Sequence, residues 1–179
     1  MVIQSVKINR AAEKDAELIC HLSTKTFVDT FRGTCSDDDM KEFVEQAFSL
    51  KEIINELRDK NDFYFIAYYN DEAAGYMRLK EDYSDYPAIT RYNALELKRI
   101  YVLEKYHSKK VGAALMQFAL QFTQEKNYEA IWLGVWEHNE RAKTFYKKWG
   151  FIDTGKTHNF PIGNTPQIDN WLIKFIVKN

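Results

Sequence analysis

The second half of the chain alternates strand-like and helix-like patterns in a fixed order that few folds accept. The spacing predicts a strand over 94–102, a helix over 108–126, a strand over 129–135, a helix over 139–149, and strands over 151–156 and 168–177. In the first of these helices Val111, Leu115, Phe118 and Phe122 step by four, three and four, a stripe that faces a core. The second opens on Asn139, a good cap, and stops at Gly150, which suits the position after a helix. The first half is built differently. "VIQSVKINRA" alternates enough for a leading strand, and "AEKDAELICHLSTKTFVDTF" reads as a helix with Leu18, Leu22, Phe27 and Phe31 sharing a face. "SDDDMKEFVEQAF" opens with caps and acids, with Phe43, Ala47 and Phe48 as its apolar side, and "LKEIINELRDK" is a further short helix. "DFYFIAYY" and "AAGYMRLK" flank "NDE", a hairpin signal, and "EDYSDYPAITRYN" is a tyrosine-rich polar loop. The expected fold class is α/β (α+β): one domain over 1–179, with a mixed central sheet of about seven strands flanked by about four to five helices.

Composition removes several classes of function. At 45% hydrophobic and 15% aromatic residues the chain can fill a core, so disorder is excluded. Twenty-five basic against twenty-six acidic residues leave a formal charge of −1, which argues against a nucleic-acid partner. The longest apolar runs, such as "NWLIKFIV", are too short to span a bilayer, so no membrane partner is expected. "MVIQSVKINR" lacks the apolar centre of a signal peptide, so a soluble cytoplasmic location is expected. Cys20 and Cys35 read as reduced thiols, and no metal site is expected.

Two clusters carry chemistry. "YHSKKVGAALMQFALQF" places a basic turn between a strand and a helix. Unpaired amides at a helix start attract phosphate, and Lys109 and Lys110 add full charges beside them. The same residues also suit an ordinary surface turn. The other cluster is "WLGVWEHNERAKTFYKKWGF", where Tyr146 lies two helical turns after Asn139 on the same side. Tyr146 would also serve as a packed aromatic beside Phe145 and Trp149.

The order and spacing of these clusters resemble the GCN5-related N-acetyltransferases (GNAT), over essentially the whole chain. The carrying stretches are "ELKRIYV", "HSKKVGAAL", "IWLGV" and "NERAKTFYKKWGF". In the loop signature of that family Gly112 matches, while His107 replaces the leading Gln or Arg and Lys110 replaces the first glycine. Asn139, Ala142, Phe145, Tyr146, Gly150 and Phe151 match its second signature in full.

The resemblance implies a GNAT fold and acetyl-CoA as co-substrate, with no metal. The pyrophosphate would sit on amides of Ser108, Lys109, Lys110, Val111, Gly112 and Ala113. The pantetheine arm would pair like an added strand with Ile100, Tyr101 and Val102, where family members splay two strands apart. An amide near Val102 would meet the carbonyl oxygen that becomes negative. Asn139 would bond the arm or hold the turn, and Lys148 would assist the nucleotide end.

Tyr146 matches the family's general acid, which protonates a departing thiolate. For the base the expectation is Glu96, acting directly or through water, although a solvated strand carboxylate fits it equally. Some relatives carry a glutamate in the middle of the next strand, where this chain has Gly134.

"TFVDTF" and "HNFPIGNTPQIDNWLIK" are similar to bacterial spermidine/spermine N-acetyltransferases of the PaiA type. This implies a small-molecule amine acceptor, with Phe27, Asp29 and Phe31 at the substrate site. Asp29, Asp37, Asp38, Asp39, Glu42, Glu81, Asp82 and Asp85 would give a polyamine channel its charge, or simply face water. A protein amine, another small amine, or a non-catalytic CoA-binding module remain as alternatives. Edge pairing or exchange of the last strand would make a homodimer in such a family.

Overall fold

In the computed structural model, residues 6–81, 89 and 91–177 are described. The start of the expected leading strand and much of the tyrosine-rich loop, with Asp82 and Asp85, lie outside them.

One seven-stranded sheet organises these residues: β1 (Val6–Arg10), β2 (Asp62–Tyr69), β3 (Glu72–Lys80), β4 (Ala94–Val102), β5 (Ala130–Trp136), β6 (Ile152–Asn159) and β7 (Ile168–Phe175). Their spatial order is β1-β2-β3-β4-β5-β7-β6. The β4–β5 pair is parallel and the other five pairings are antiparallel. The β2–β3 hairpin closes through Asn70 and Asp71, both with positive φ, in residue types that tolerate the left-handed region of a tight turn.

Side-chain alternation on β2 serves two layers. Phe63, Phe65 and Ala67 join the cluster under α4 (Val111–Glu125), while Tyr64 and Ile66 meet α1 (Ala16–Phe31) and α3 (Leu50–Arg58) on the other face. The stripe expected on α4 is the one buried. Val111, Leu115 and Phe122 belong to the core, Phe118 packs at its edge, and Met116 and Ala119 broaden it. α2 (Asp37–Ala47) and α5 (Glu140–Lys148) lie near the sheet's open end, and Phe27, Phe31, Phe48 and Ile162 form a separate aromatic-rich cluster there.

Three expected boundaries shift. The first helix begins after a short 3-10 turn, Glu13–Asp15. α4 starts at Val111 rather than 108 because Lys110 turns into the left-handed region and ends the preceding turn. β6 continues to Asn159 because β7 pairs with it as far as Ile168.

Beneath α3 sits a buried charge network. Arg78 donates to Asp62 at 2.8 and 2.5 Å and to Glu56 at 2.5 Å. Arg99 adds a donor to Glu56 at 3.0 Å, and the Tyr64 hydroxyl bonds the same carboxylate.

Candidate active site

The site begins where two parallel strands stop pairing. β4 and β5 are in register only from Ala94 to Glu96 against Ala130 to Trp132, although β4 runs on to Val102 and β5 to Trp136. A bulge in β4 against β3 follows at once: Leu79 faces Leu97 while Arg78 faces Arg99, leaving Lys98 as the extra residue. The strands beyond it diverge around a cleft of about 940 Å³.

Backbone polarity in this gap follows from one hydrogen bond. The Leu103 amide donates to the Ala74 carbonyl at 2.9 Å, towards β3. Alternate residues face the other way, so Ile100 and Val102 turn their amides and carbonyls into the gap. A side chain at Gly75 would collide with the Tyr101 carbonyl, so glycine is what lets β3 hold this edge so closely. Ile100, Tyr101 and Val102 all line the cleft.

The basic turn delivers the start of α4 to the same place. Lys110 caps the helix with φ 60° and ψ 12°, the left-handed shape that glycine adopts freely. The first helical bond runs from the Ala114 amide to the Lys110 carbonyl at 3.0 Å, so the Val111, Gly112 and Ala113 amides precede the helix's own ladder. Ser108, Lys110, Gly112 and Ala113 line the cleft; Val111 puts its side chain in the core, and Lys109 lies outside the lining.

His107 braces this corner. Its Nε2 lies 2.9 Å from the Val102 carbonyl, and its Nδ1 lies 2.6 Å from an Arg141 nitrogen. A carbonyl only accepts and a guanidinium only donates, so the ring carries its proton on Nε2. Asn139 caps α5 by accepting from the Ala142 amide at 3.0 Å, which is the turn-holding role, and it also lines the cleft. Lys148 is exposed at the far end of α5 and outside the lining.

Tyr146 reaches the cleft from α5 and is only 8% exposed, packed against Phe145 and Phe151. Burial, and next to it the carboxylate of Asp169, hold its phenol well above the ordinary tyrosine range. Glu96 is buried at the closed end of the cleft and accepts from the Lys98 ammonium at 3.2 Å.

Sequence reasoning gave a second carboxylate no part in the site, although it lies in the stretch that resembles the PaiA type. Asp169 of β7 lines the cleft, and burial pushes it up to about 6 against the opposing pull of Lys98. A signal was present in the chain, an acid inside the apolar "QIDNWLIKF" together with a bare Gly134 on the neighbouring strand.

At the mouth, Phe27, Phe31, Phe43, Phe48, Trp136 and Phe160 form an aromatic wall. Phe27 stacks on Phe43 at 4.6 Å between centroids, and Phe31 packs on Trp136 at 5.3 Å. Asp29 borders this wall but is tied to Lys25 and Arg32. Asp37, Asp38, Asp39, Glu42 and Glu81 lie outside the lining. Among the described residues no cluster of three or more potential metal ligands occurs, and no helix is long and apolar enough to cross a membrane.

A splayed parallel pair with a helix start at its mouth and a buried tyrosine beside it frames the cleft. Residues 21–151 match the acetyltransferase (GNAT) family, and the chain belongs to it. It is an N-acetyltransferase that uses acetyl-CoA.

Over 172 residues it is 34% identical to an uncharacterised N-acetyltransferase of Lactobacillus delbrueckii subsp. lactis, covering 96% of this chain and 98% of that protein. It is 24% identical to a spermidine N(1)-acetyltransferase of Thermoplasma acidophilum, covering 82% of this chain and 88% of that one. The fold superimposes on the PaiA N-acetyltransferase of the same organism in complex with coenzyme A. The TM-score is 0.74 at 21% identity, covering 96% and 99% of the two chains.

Proposed function

We propose that the acceptor is a primary amine of a small polycation, of the spermidine and spermine class. The aromatic wall carries this reading. Six rings crowd the mouth of the cleft, and ring faces attract ammonium groups by about 0.5–2 kcal/mol each while packing the methylenes between them. The likeness to a spermidine N(1)-acetyltransferase supports the same class. The acids expected to form a charged channel lie mostly outside the cleft lining. Recognition of the cation therefore falls to the rings and to the two carboxylates deeper in, Glu96 and Asp169.

The chemistry is direct transfer. The pyrophosphate rests on the α4 amides with the Lys110 charge beside it, and the arm runs along Ile100 to Val102 as an added strand. The amine loses a proton to one of the two carboxylates, and its nitrogen attacks the thioester carbon. Tyr146 gives its hydroxyl proton to the departing thiolate. Release of free thiol over a panel of spermidine, spermine, monoamines, an aminoglycoside and peptides tests the acceptor. The highest kcat/KM is expected for spermidine or spermine; a preference for peptides would overturn the polyamine assignment.

A further inference from the structure

We propose that Asp169, set over Gly134 where β4 and β5 part, is the catalytic base that takes the proton from the acceptor amine. The assignment rests on the acetyl-transfer reading above and names the residue that serves it.

Geometry carries the argument. A Cβ built on Gly134 would lie 2.9 Å from Asp169 Oδ2, and 3.4 and 3.5 Å from its Cβ and Cγ. The carboxylate therefore fills the space that any side chain at 134 would occupy. A carboxylate reaching the cleft from the middle of β5 and one reaching it from β7 exclude each other here. This chain keeps the second, and Gly134 is the condition for it.

The position suits the reaction. Gly134 lies two residues beyond Trp132, the last residue of β5 paired with β4, so Asp169 stands at the level where the strands are already apart. Glu96 faces Trp132 itself, at the closed end. The Asp169 carboxylate makes no hydrogen bond or ion pair among the described residues, whereas Glu96 accepts from Lys98. A half-buried carboxylate in an aromatic-rimmed cleft costs free energy that the Lys98 charge offsets only in part, and a cationic amine would offset more of it.

The titratable and charged groups around Asp169 come from three elements. Lys98 and Tyr101 face it from β4, Tyr146 from α5, and His158 is its register partner on β6. Burial raises Asp169 and the Lys98 charge restrains the rise, so it titrates about 6. It is then ionised at neutral pH and still basic enough to accept a proton.

The step balances. The bound ammonium gives one proton to Asp169, and the nitrogen lone pair forms the C–N bond as the C–S bond breaks. The thiolate takes the Tyr146 proton. The proton shed by nitrogen as it becomes an amide restores the tyrosine, and Asp169 passes its own to solvent. The products are an amide, a free thiol and one proton.

The test compares pH profiles of kcat/KM, using whichever panel amine the wild type acetylates best, with the acetyl-CoA Kd measured beside them. Wild type should lose activity below a midpoint near 6, as Asp169 protonates. Asp169→Asn should lower kcat/KM at pH 7.5 by about 100-fold and abolish that limb, with the Kd unchanged. Gly134→Ala, which pushes the carboxylate aside, should act in the same direction. Lys98→Gln removes the restraining charge and should move the limb to higher pH. Glu96→Gln should leave the limb near its wild-type position.

If Asp169→Asn retains both rate and limb, or if Glu96→Gln abolishes the limb instead, the assignment falls alone. A wild type that binds CoA yet acetylates no amine overturns the acetyl-transfer reading, and this assignment with it. Should Asp169→Asn fold poorly in a thermal melt, Gly134→Ala decides, and its wild-type rate and profile would overturn the proposal.

Discussion

Lys110 holds a backbone shape that glycine would take at no cost. For an L-residue the left-handed region costs about 1–2 kcal/mol, and in the proposed pyrophosphate seat that strain brings the Lys110 charge beside the α4 amides. Lys110→Gly should therefore raise stability by up to about 1 kcal/mol while weakening acetyl-CoA binding. Lys110→Ala keeps the strain and loses the charge, so it should weaken binding with no gain in stability. Melting temperatures and acetyl-CoA KM across a salt series separate the two effects, since screening should flatten the difference from wild type. Tyr146 gives the second expectation at this scale. Its phenol is held protonated through neutral and mildly alkaline pH by burial and by Asp169. Tyr146→Phe should cut turnover at least about tenfold with CoA affinity nearly unchanged. A variant with wild-type turnover would remove Tyr146 from the reaction.

At the scale of elements, what the sequence revealed was whatever repeats locally. The α4 stripe, the Asn70–Asp71 hairpin and the Asn139 cap each sit within a few residues of their cause, and all three appear as the pattern predicts. The start of α4 was misplaced by three residues because a lysine in the left-handed region leaves no trace in apolar periodicity. The place of Asp169 in the site escapes the sequence for another reason. Its significance depends on pairing between strands more than thirty residues apart, which brings it over Gly134. The splay is equally non-local, since nothing within "ELKRIYV" marks Glu96 as the last paired residue. Long-range contacts also create the Arg78 network, which ties β2 and β3 to α3. Arg78→Met would leave the Glu56 and Asp62 carboxylates buried with one cation fewer, and should cost about 3–5 kcal/mol. Urea denaturation would measure it. A loss below about 1 kcal/mol would mean that Arg99 alone satisfies Glu56.

At the scale of the whole molecule, the aromatic wall is assembled from both ends of the chain. Phe27, Phe31 and Phe43 come from α1 and α2, and Phe160 from the connection between β6 and β7. Asp39 at the start of α2 joins the two halves, accepting from the Asn164 amide at 2.9 Å and the Thr165 hydroxyl at 2.8 Å. Those bonds, the Asn164 amide first, hold its carboxyl below the usual aspartate value. A depressed folded value means that the tie is fully present above the unfolded carboxylate value and is lost only as pH falls through the folded one. The wall should therefore stay closed across the whole range in which Asp169 titrates, so an acid limb near pH 6 cannot be assigned to its opening. Asp39→Ala should raise the amine KM several-fold, leave the acetyl-CoA Kd unchanged, and speed hydrogen exchange over residues 160–166. An unchanged amine KM with faster exchange would mean that the rings hold the acceptor without this tie, leaving Phe27, Phe43 and Trp136 as the part of the wall that selects it.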